Sequence, residues 1–257
     1  MSNNLLLGKN LLITGVLTDD SLAFGVAREA QLQGANVILT GFGRGKRLTD
    51  RTARKLEPVP EVLELDVTDP EQVKALIDEL RNSVGEIHGI LHAVGFAPEA
   101  CLGDDFFAAQ WPDVATAIQV STYSLRTMAD IALELMPPGG SIVGLTFDAT
   151  VSWPAYNWMG VAKAGLESLN RYLAKEMGPK GIRCNLVAAG PMRTIAAKSI
   201  PGFAAFEEEW TKRAPLGWDV NDSSGVAKTT MALFTDLFSH TTGSIIHVDG
   251  GYHSIGA

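Results

Sequence analysis

Residues 10–40 read NLLITGVLTDDSLAFGVAREAQLQGANVILT, and this stretch decides the fold. It opens on the apolar run Leu11-Leu12-Ile13, which closes on Thr14-Gly15, crosses the polar Thr18-Asp19-Asp20-Ser21, and continues in a helical pattern over 22–33. Gly34 stops that helix, and Val37-Ile38-Leu39 begins a second apolar run. Neither run alternates apolar with polar residues, as expected for strands covered by helices on both faces. The unit is β-α-β, and its rhythm recurs to the end of the chain. Strands are predicted over 10–14, 36–40, 62–65, 87–92, 141–145, 184–187 and 244–248, and helices over 22–33, 46–56, 70–84, 111–136, 156–177 and 223–238. Repeated β-α order implies an α/β domain over 1–257, a doubly wound seven-stranded parallel sheet flanked by helices, with ligands beyond the carboxyl ends of the strands. The segment 194–210, after the sixth strand, breaks the rhythm and is expected to form a mobile helical lid.

Composition narrows the functional classes. The 257 residues are 46% hydrophobic and 19% charged, enough for one large core without a disordered tract. A net charge of -8 excludes the electrostatic footprint of a nucleic-acid binder, and the short Arg44-Gly45-Lys46-Arg47 cluster reads as a helix start. Two cysteines and five histidines have neither disulfide-framework nor metal-ligand spacing, so Cys101 and Cys184 are expected to be buried thiols and no metal is expected. The start, Met1-Ser2-Asn3-Asn4-Leu5, lacks a basic region before its apolar run, and no run is long enough to span a membrane. A cytoplasmic protein is the expectation.

The chemistry centres on Pro154-Ala155-Tyr156-Asn157-Trp158-Met159-Gly160-Val161-Ala162-Lys163. Seven helical steps are almost two turns, so Tyr156 and Lys163 leave one helix face about 10 Å apart along the axis. Helical side chains lean towards the N-terminus, so the lysine reaches back towards the phenol. A phenol donates a hydrogen bond, while an ammonium holds sugar hydroxyls and favours phenol ionisation. The strand ends add smaller groups. Gly15 permits a tight turn after the first strand, and Ser21 is placed to cap the following helix and to offer a hydroxyl to a pyrophosphate, though Gly-x-Gly-x-x-Gly is missing. The second strand ends in Phe42 rather than an acidic residue, a ring for adenine or for the core. Asp66 is either a helix cap or an acceptor for the adenine amino group. Gly95, after the fourth strand, lets backbone approach a cofactor closely.

These carriers together identify a family. Thr14-Gly15 with Ser21-Leu22-Ala23-Phe24, Leu39-Thr40-Gly41-Phe42, Leu65-Asp66-Val67, Gly140-Ser141-Ile142-Val143-Gly144, the Tyr156–Lys163 motif, Asn185 through Pro191, and Arg213-Ala214-Pro215-Leu216-Gly217-Trp218 are quoted for it. Over nearly its whole length the chain resembles the short-chain dehydrogenase/reductase superfamily, a Rossmann-fold group. Within it the chain is most similar to NADH-dependent enoyl-[acyl-carrier-protein] reductases of the mycobacterial type. Carbonyl-reducing members place Lys four residues after Tyr, where this chain has Gly160. They also carry a serine after the fifth strand, where this chain reads Leu145-Thr146-Phe147-Asp148.

The resemblance implies reduction of a trans-2-enoyl thioester on acyl carrier protein in fatty-acid biosynthesis, with Tyr156, Lys163 and Phe147 as the catalytic set. It implies cofactor contacts at Gly15, Val16, Ser21, Leu22, Phe42, Asp66, Val67, Gly95, Val120, Leu145, Lys163, Pro191 and Thr194. Substrate contacts are implied at Phe96, Phe147, Tyr156, Met159, Ala197, Ile200 and Trp210. NADH is the implied cofactor, with NADPH the lesser alternative because Arg44 follows Phe42 closely and an Arg can accommodate a 2′-phosphate. A homotetramer is also implied. The segment 194–210 is shorter than its counterpart in the mycobacterial enzymes, which points to medium rather than very long acyl chains. The alternatives are a 3-ketoacyl thioester reductase and a non-catalytic NAD(H) sensor.

Overall fold

A computed structural model of the chain describes residues 4–198 and 200–256. Seven strands, β1 (Asn10–Ile13), β2 (Asn36–Gly41), β3 (Glu61–Glu64), β4 (Gly89–His92), β5 (Ser141–Thr146), β6 (Arg183–Ala189) and β7 (Ile245–Val248), form one sheet in the order β3-β2-β1-β4-β5-β6-β7. Every pairing is parallel. The chain runs outward from β1 through β2 to β3, then returns to β4 on the other side of β1. That reversal opens a crevice beyond the carboxyl ends of β1 and β4, the place where doubly wound sheets bind ligands.

The unbroken apolar runs are explained by the two cores. Leu12, Ile38, Ile90, Ile142 and Leu186 point to one face, where α3 (Pro70–Ser83), α5 (Ser124–Leu135) and α6 (Asn157–Met177) bury Leu76, Ile131 and Leu166 against them. Their chain neighbours Leu11, Ile13, Val37, Leu39, Val143 and Val187 point to the other face, covered by α1 (Leu22–Leu32) and α9 (Ser224–Leu233) through Val26, Ala30 and Val226. Successive strand residues alternate faces, so a sheet covered twice needs apolar residues at every position.

Several predicted boundaries move, each for a contact that periodicity does not encode. The helix predicted over 111–136 is two helices, α4 (Trp111–Ile118) and α5, joined by a π-helical turn at Gln119–Tyr123. Ser121 Oγ accepts from Phe96 N–H at 2.9 Å and donates to Phe96 O at 2.8 Å, while Ser124 Oγ donates to Val120 O at 2.6 Å. Such turns are frequent at functional sites. The predicted 46–56 helix is α2 (Gly43–Ala53), begun early because Glu64 Oε1 accepts from Gly43 N–H at 2.8 Å. α9 stops at Leu233 rather than 238, where the Arg183 guanidinium takes the Leu233, Thr235 and Phe238 carbonyls at 2.8, 3.2 and 3.2 Å. Residues 87–88 lie outside β4, since Ile87 N–H bonds Leu135 O. The segment predicted as a lid contains α7 (Ile195–Lys198) and α8 (Phe203–Arg213), the second running past its predicted end. Both cysteines are buried. Among the described residues, no helix is long and apolar enough to cross a membrane.

Candidate active site

A cavity of about 1100 Å³ lies along the strand ends, larger than the usual range for one drug-sized ligand. Gly15, Val16, Ser21 and Leu22 line it from the β1–α1 connection, Phe42 from the end of β2, and Asp66 and Val67 from the end of β3. Gly95, Val120, Leu145, Lys163, Pro191 and Thr194 line it further along, as do Phe96, Phe147, Tyr156, Met159, Ala197 and Ile200. Trp210 does not. It is 2% exposed, stacks on Tyr252 at 3.8 Å between ring centres, and lines a separate cavity of about 480 Å³. Phe206, one helical turn earlier, lines both.

Local bonds rule out the helix-cap reading at Ser21 and at Asp66. Ser21 precedes α1 without capping it: its Oγ accepts from Leu17 and Thr18 N–H at 3.2 and 3.0 Å, closing the turn before the helix. Asp66 binds Thr68 through N–H and hydroxyl, while Asp69 caps α3. Gly15 is obligatory, since a Cβ there would sit 2.1 Å from Ala93 O and its φ is +83°. At Gly95 an added Cβ would lie 4.0 Å from Lys163 Nζ, so this backbone borders the ammonium.

Tyr156 occupies the boundary position before α6, between Ala155 at φ +57° and Asn157 at φ +49°. An alanine in this region is strained by about 1–3 kcal/mol and persists only where neighbours over-determine it. They do: Gly103 N–H donates to Ala155 O at 2.9 Å, Asn157 Nδ2 donates to Gly103 O and Asp105 O at 3.3 and 3.1 Å, and Trp158 Nε1 donates to Phe106 O at 3.1 Å. The phenol is buried, and its ring meets Phe147 edge-on at 5.3 Å. Burial, assisted by the nearby Glu167 charge, raises the phenol's pKa, so it stays a proton donor. Lys163 Nζ donates to Leu145 O at 3.0 Å, and burial pushes its pKa down to about 8 against the opposing pull of Glu167. His92 is held neutral by burial, with its pKa near 3, and its Nε2 pairs with Ser124 Oγ at 2.7 Å.

A buried phenol that keeps its proton, a partly depressed ammonium and an aromatic wall therefore face one large crevice. The arrangement can hold a dinucleotide and place a hydrogen-bond donor at a carbonyl oxygen that gains charge. Sequence reasoning missed Glu167 and Ser121. The signal for Glu167 was its place four residues after Lys163 on the same helix face.

A family profile described as enoyl-(acyl carrier protein) reductase matches residues 15–253. The chain belongs to this family. Enoyl-(acyl carrier protein) reductases similar to it include the NADH enzyme of Mycolicibacterium smegmatis, 46% identical over 96% of this chain and 97% of the relative. The NADH enzyme of Mycobacterium avium is 43% identical over the same shares. A family member of Staphylococcus aureus named for NADPH is 38% identical, again over 96% and 97%.

Proposed function

We propose that the chain reduces trans-2-enoyl thioesters of acyl carrier protein with NADH, completing a cycle of fatty-acid elongation. The observation that carries this reading is the meeting of Tyr156, Lys163 and Phe147 at one cavity on the crevice side of the sheet. NADH, when bound, would supply the hydride that reduces C3 of the enoyl group, and a proton taken up at C2 of the resulting enolate completes the saturated thioester. Tyr156 then serves the thioester oxygen, where negative charge collects: its protonated, desolvated phenol donates a hydrogen bond that strengthens as the enolate forms. Lys163 holds the ribose hydroxyls, and its bond to Leu145 O fixes the ammonium for that task. Phe147 walls the reacting carbons from water. The residues of the β1–α1 connection and of the β2 and β3 ends, with Gly95, Val120, Pro191 and Thr194, form the cofactor cradle. Phe96, Met159, Ala197 and Ile200 form the acyl groove, while Trp210 supports the groove from behind Phe206.

The test is direct. Purified protein with NADH and trans-2-octenoyl-CoA should lose nicotinamide absorbance in step with saturated product. Oxidation of NADPH alone, or activity confined to 3-ketoacyl thioesters, would overturn the reading. Arg44 lines the same cavity as Phe42, so NADPH belongs in that comparison.

The whole chain acts as one reductase unit in this reading, with 194–210 as its lid. Ile200, Phe203 and Phe206 line the cavity from that segment, and its carboxylates turn outward, Glu207 to Arg193 and Glu208 to Lys212. We expect kcat/KM to peak at medium acyl chains. Replacing Ile200 and Phe203 together by Ala should lower it there by about tenfold, the equivalent of roughly two buried methylenes. A length profile that the substitutions leave unmoved, or that still climbs at the longest chains, would reject the lid assignment.

The chain also assembles as a homotetramer in this reading. Gly165 and Ala162 are used within the subunit: a Cβ on Gly165 would meet Thr122 at 3.2 Å, and Thr122 Oγ1 donates to Ala162 O at 2.6 Å. The outer face of α6, however, presents Val161 and Tyr172 three turns apart, both exposed, with Tyr123 of the π turn also exposed. Light scattering at micromolar concentration should return four times the chain mass of 27.4 kDa. A monomeric mass would refute the assembly.

A further inference from the structure

Glu167 lies 6% exposed, about three turns into the helix that carries Tyr156 and one turn beyond Lys163. A buried carboxylate must be bonded to be tolerated, and Glu167 is bonded selectively. Its Oε1 accepts from Ala149 N–H at 3.0 Å, and Thr146 Oγ1 shares its one proton between Oε1 at 3.4 Å and Phe147 O at 3.3 Å. These donors stand on either side of Phe147. One turn back along α6, Lys163 Nζ donates to Leu145 O. The segment 145–149 is therefore fastened to α6 at both ends, by side chains four residues apart, with Phe147 at its middle. On the outer side Trp153 Nε1 donates to Asp148 O, and Trp153 also packs on the Phe147 ring at 5.2 Å.

We infer that Glu167 is a positioning residue of the reductase: it ties the segment after β5 to α6 and so sets the gap between Phe147 and the Tyr156 phenol. This inference rests on the reduction proposed above. The segment leaves the sheet at Thr146, the last residue of β5, and has no ladder partner beyond it. Without the Glu167 acceptor, the part-buried Ala149 N–H would lose its partner, and the backbone carrying Phe147 would turn to find another. The charge around the carboxylate suits a fixed anchor. Burial, with help from Asp148 of the fastened segment, raises the Glu167 pKa, while Ala149 N–H, Thr146 Oγ1 and Arg171 of α6 pull the other way and keep the carboxyl an acceptor for the segment. The same carboxylate adds to the burial that raises the Tyr156 pKa, and partly offsets the burial that lowers that of Lys163.

The test compares Glu167→Leu and Glu167→Gln with the wild-type enzyme. The amide oxygen of Gln still accepts from Ala149 N–H, whereas Leu fills the space without an acceptor. Misplacing Phe147 by a fraction of its contact distance should lower kcat in Glu167→Leu by about 10- to 100-fold. Glu167→Gln should recover to within about fivefold of wild type, with KM for NADH changed by less than about threefold in both. Hydrogen exchange of a 145–153 peptide, followed by mass spectrometry, reads the fastening without any substrate: faster exchange is expected in Glu167→Leu and near-wild-type exchange in Glu167→Gln. Should Glu167→Leu fail to fold, Thr146→Val removes one of the two donors and should give a smaller kcat loss and exchange gain in the same direction. A folded Glu167→Leu with wild-type kcat and exchange overturns the inference, as does a Glu167→Gln as impaired as Glu167→Leu. A wild-type protein that oxidises no NADH with enoyl thioesters overturns the proposed reaction instead, and the exchange experiment still decides the fastening.

Discussion

Tyr156→Phe should lower kcat for enoyl reduction by about 10- to 10³-fold, the range for loss of one preorganised oxyanion donor. The substitution removes a single atom from a buried ring and leaves its edge contact with Phe147 at 5.3 Å intact. The turn that presents the residue is held by its neighbours' backbone and side chains, not by the phenol. NADH affinity should therefore stay within about threefold of wild type, which separates a lost transition-state contact from a lost ground-state one. Burial raises the phenol's pKa further above its ordinary range, so no alkaline loss of activity should trace to Tyr156 at neutral or mildly basic pH. Single-turnover rates for the two proteins decide the matter, and an unchanged rate would remove Tyr156 from the chemistry.

Lys163→Ala should fail at cofactor binding before it fails at chemistry, with the Kd for NADH rising by about 10- to 100-fold, as loss of one or two charge-assisted bonds implies. The wild-type protein supplies an internal control. Its lysine loses the proton as pH rises through about 8, so NADH affinity should be steady below that pH and weaken above it. Lys163→Ala should show no such limb. Stability of the cofactor-free protein should move the other way. The lysine is depressed in the folded state and ordinary in the unfolded chain, so between about 8 and its ordinary value of 10.5 the unfolded chain holds more protons. Stability then rises with pH across that window, the reverse of affinity. Fluorescence titration and thermal melts at matched pH values would test both signs; a normal Kd in Lys163→Ala with dead chemistry would show the role misassigned.

How far the fold was legible follows from where each signal resides. Leu11-Leu12-Ile13 is buried on both faces of the sheet, and an unbroken apolar run is what that environment writes into a strand. Gly34, at φ +88°, ends the first helix where a side chain would be strained, so its boundary was readable within a residue. The π turn at Gln119–Tyr123 was not readable, because its cause is a bond from Ser121 to Phe96, twenty-five residues away. Ser21 shows the same limit at short range: its type and position suited a cap, and its hydroxyl took the preceding turn instead.

The site was legible where a residue had one plausible task and illegible where depth decided. Tyr156 and Lys163 share a face by spacing alone, and the structure lines the same cavity with both. Trp210 shares the apolar stripe of α8 with Phe206, yet one turn of extra depth hands its ring to Tyr252. Periodicity gives a face, not a distance from the ligand. Glu167 on a helix reads as a solvated charge until the two donors opposite it are seen.

α6 carries Tyr156 at its threshold, then Lys163 and Glu167 on successive turns. A helix moves as a rod, so thermal drift of α6 against the sheet shifts all three together and leaves their mutual spacing almost unchanged. The noise that reaches the reaction is then the play between this rod and what it faces. The enzyme is buffered against vibration of its scaffold and exposed to slackness at one seam, where α6 meets the end of β5. Mutations that loosen that seam should broaden the spread of turnover rates among individual molecules before they lower the melting temperature, a signature that ensemble stability measurements would miss.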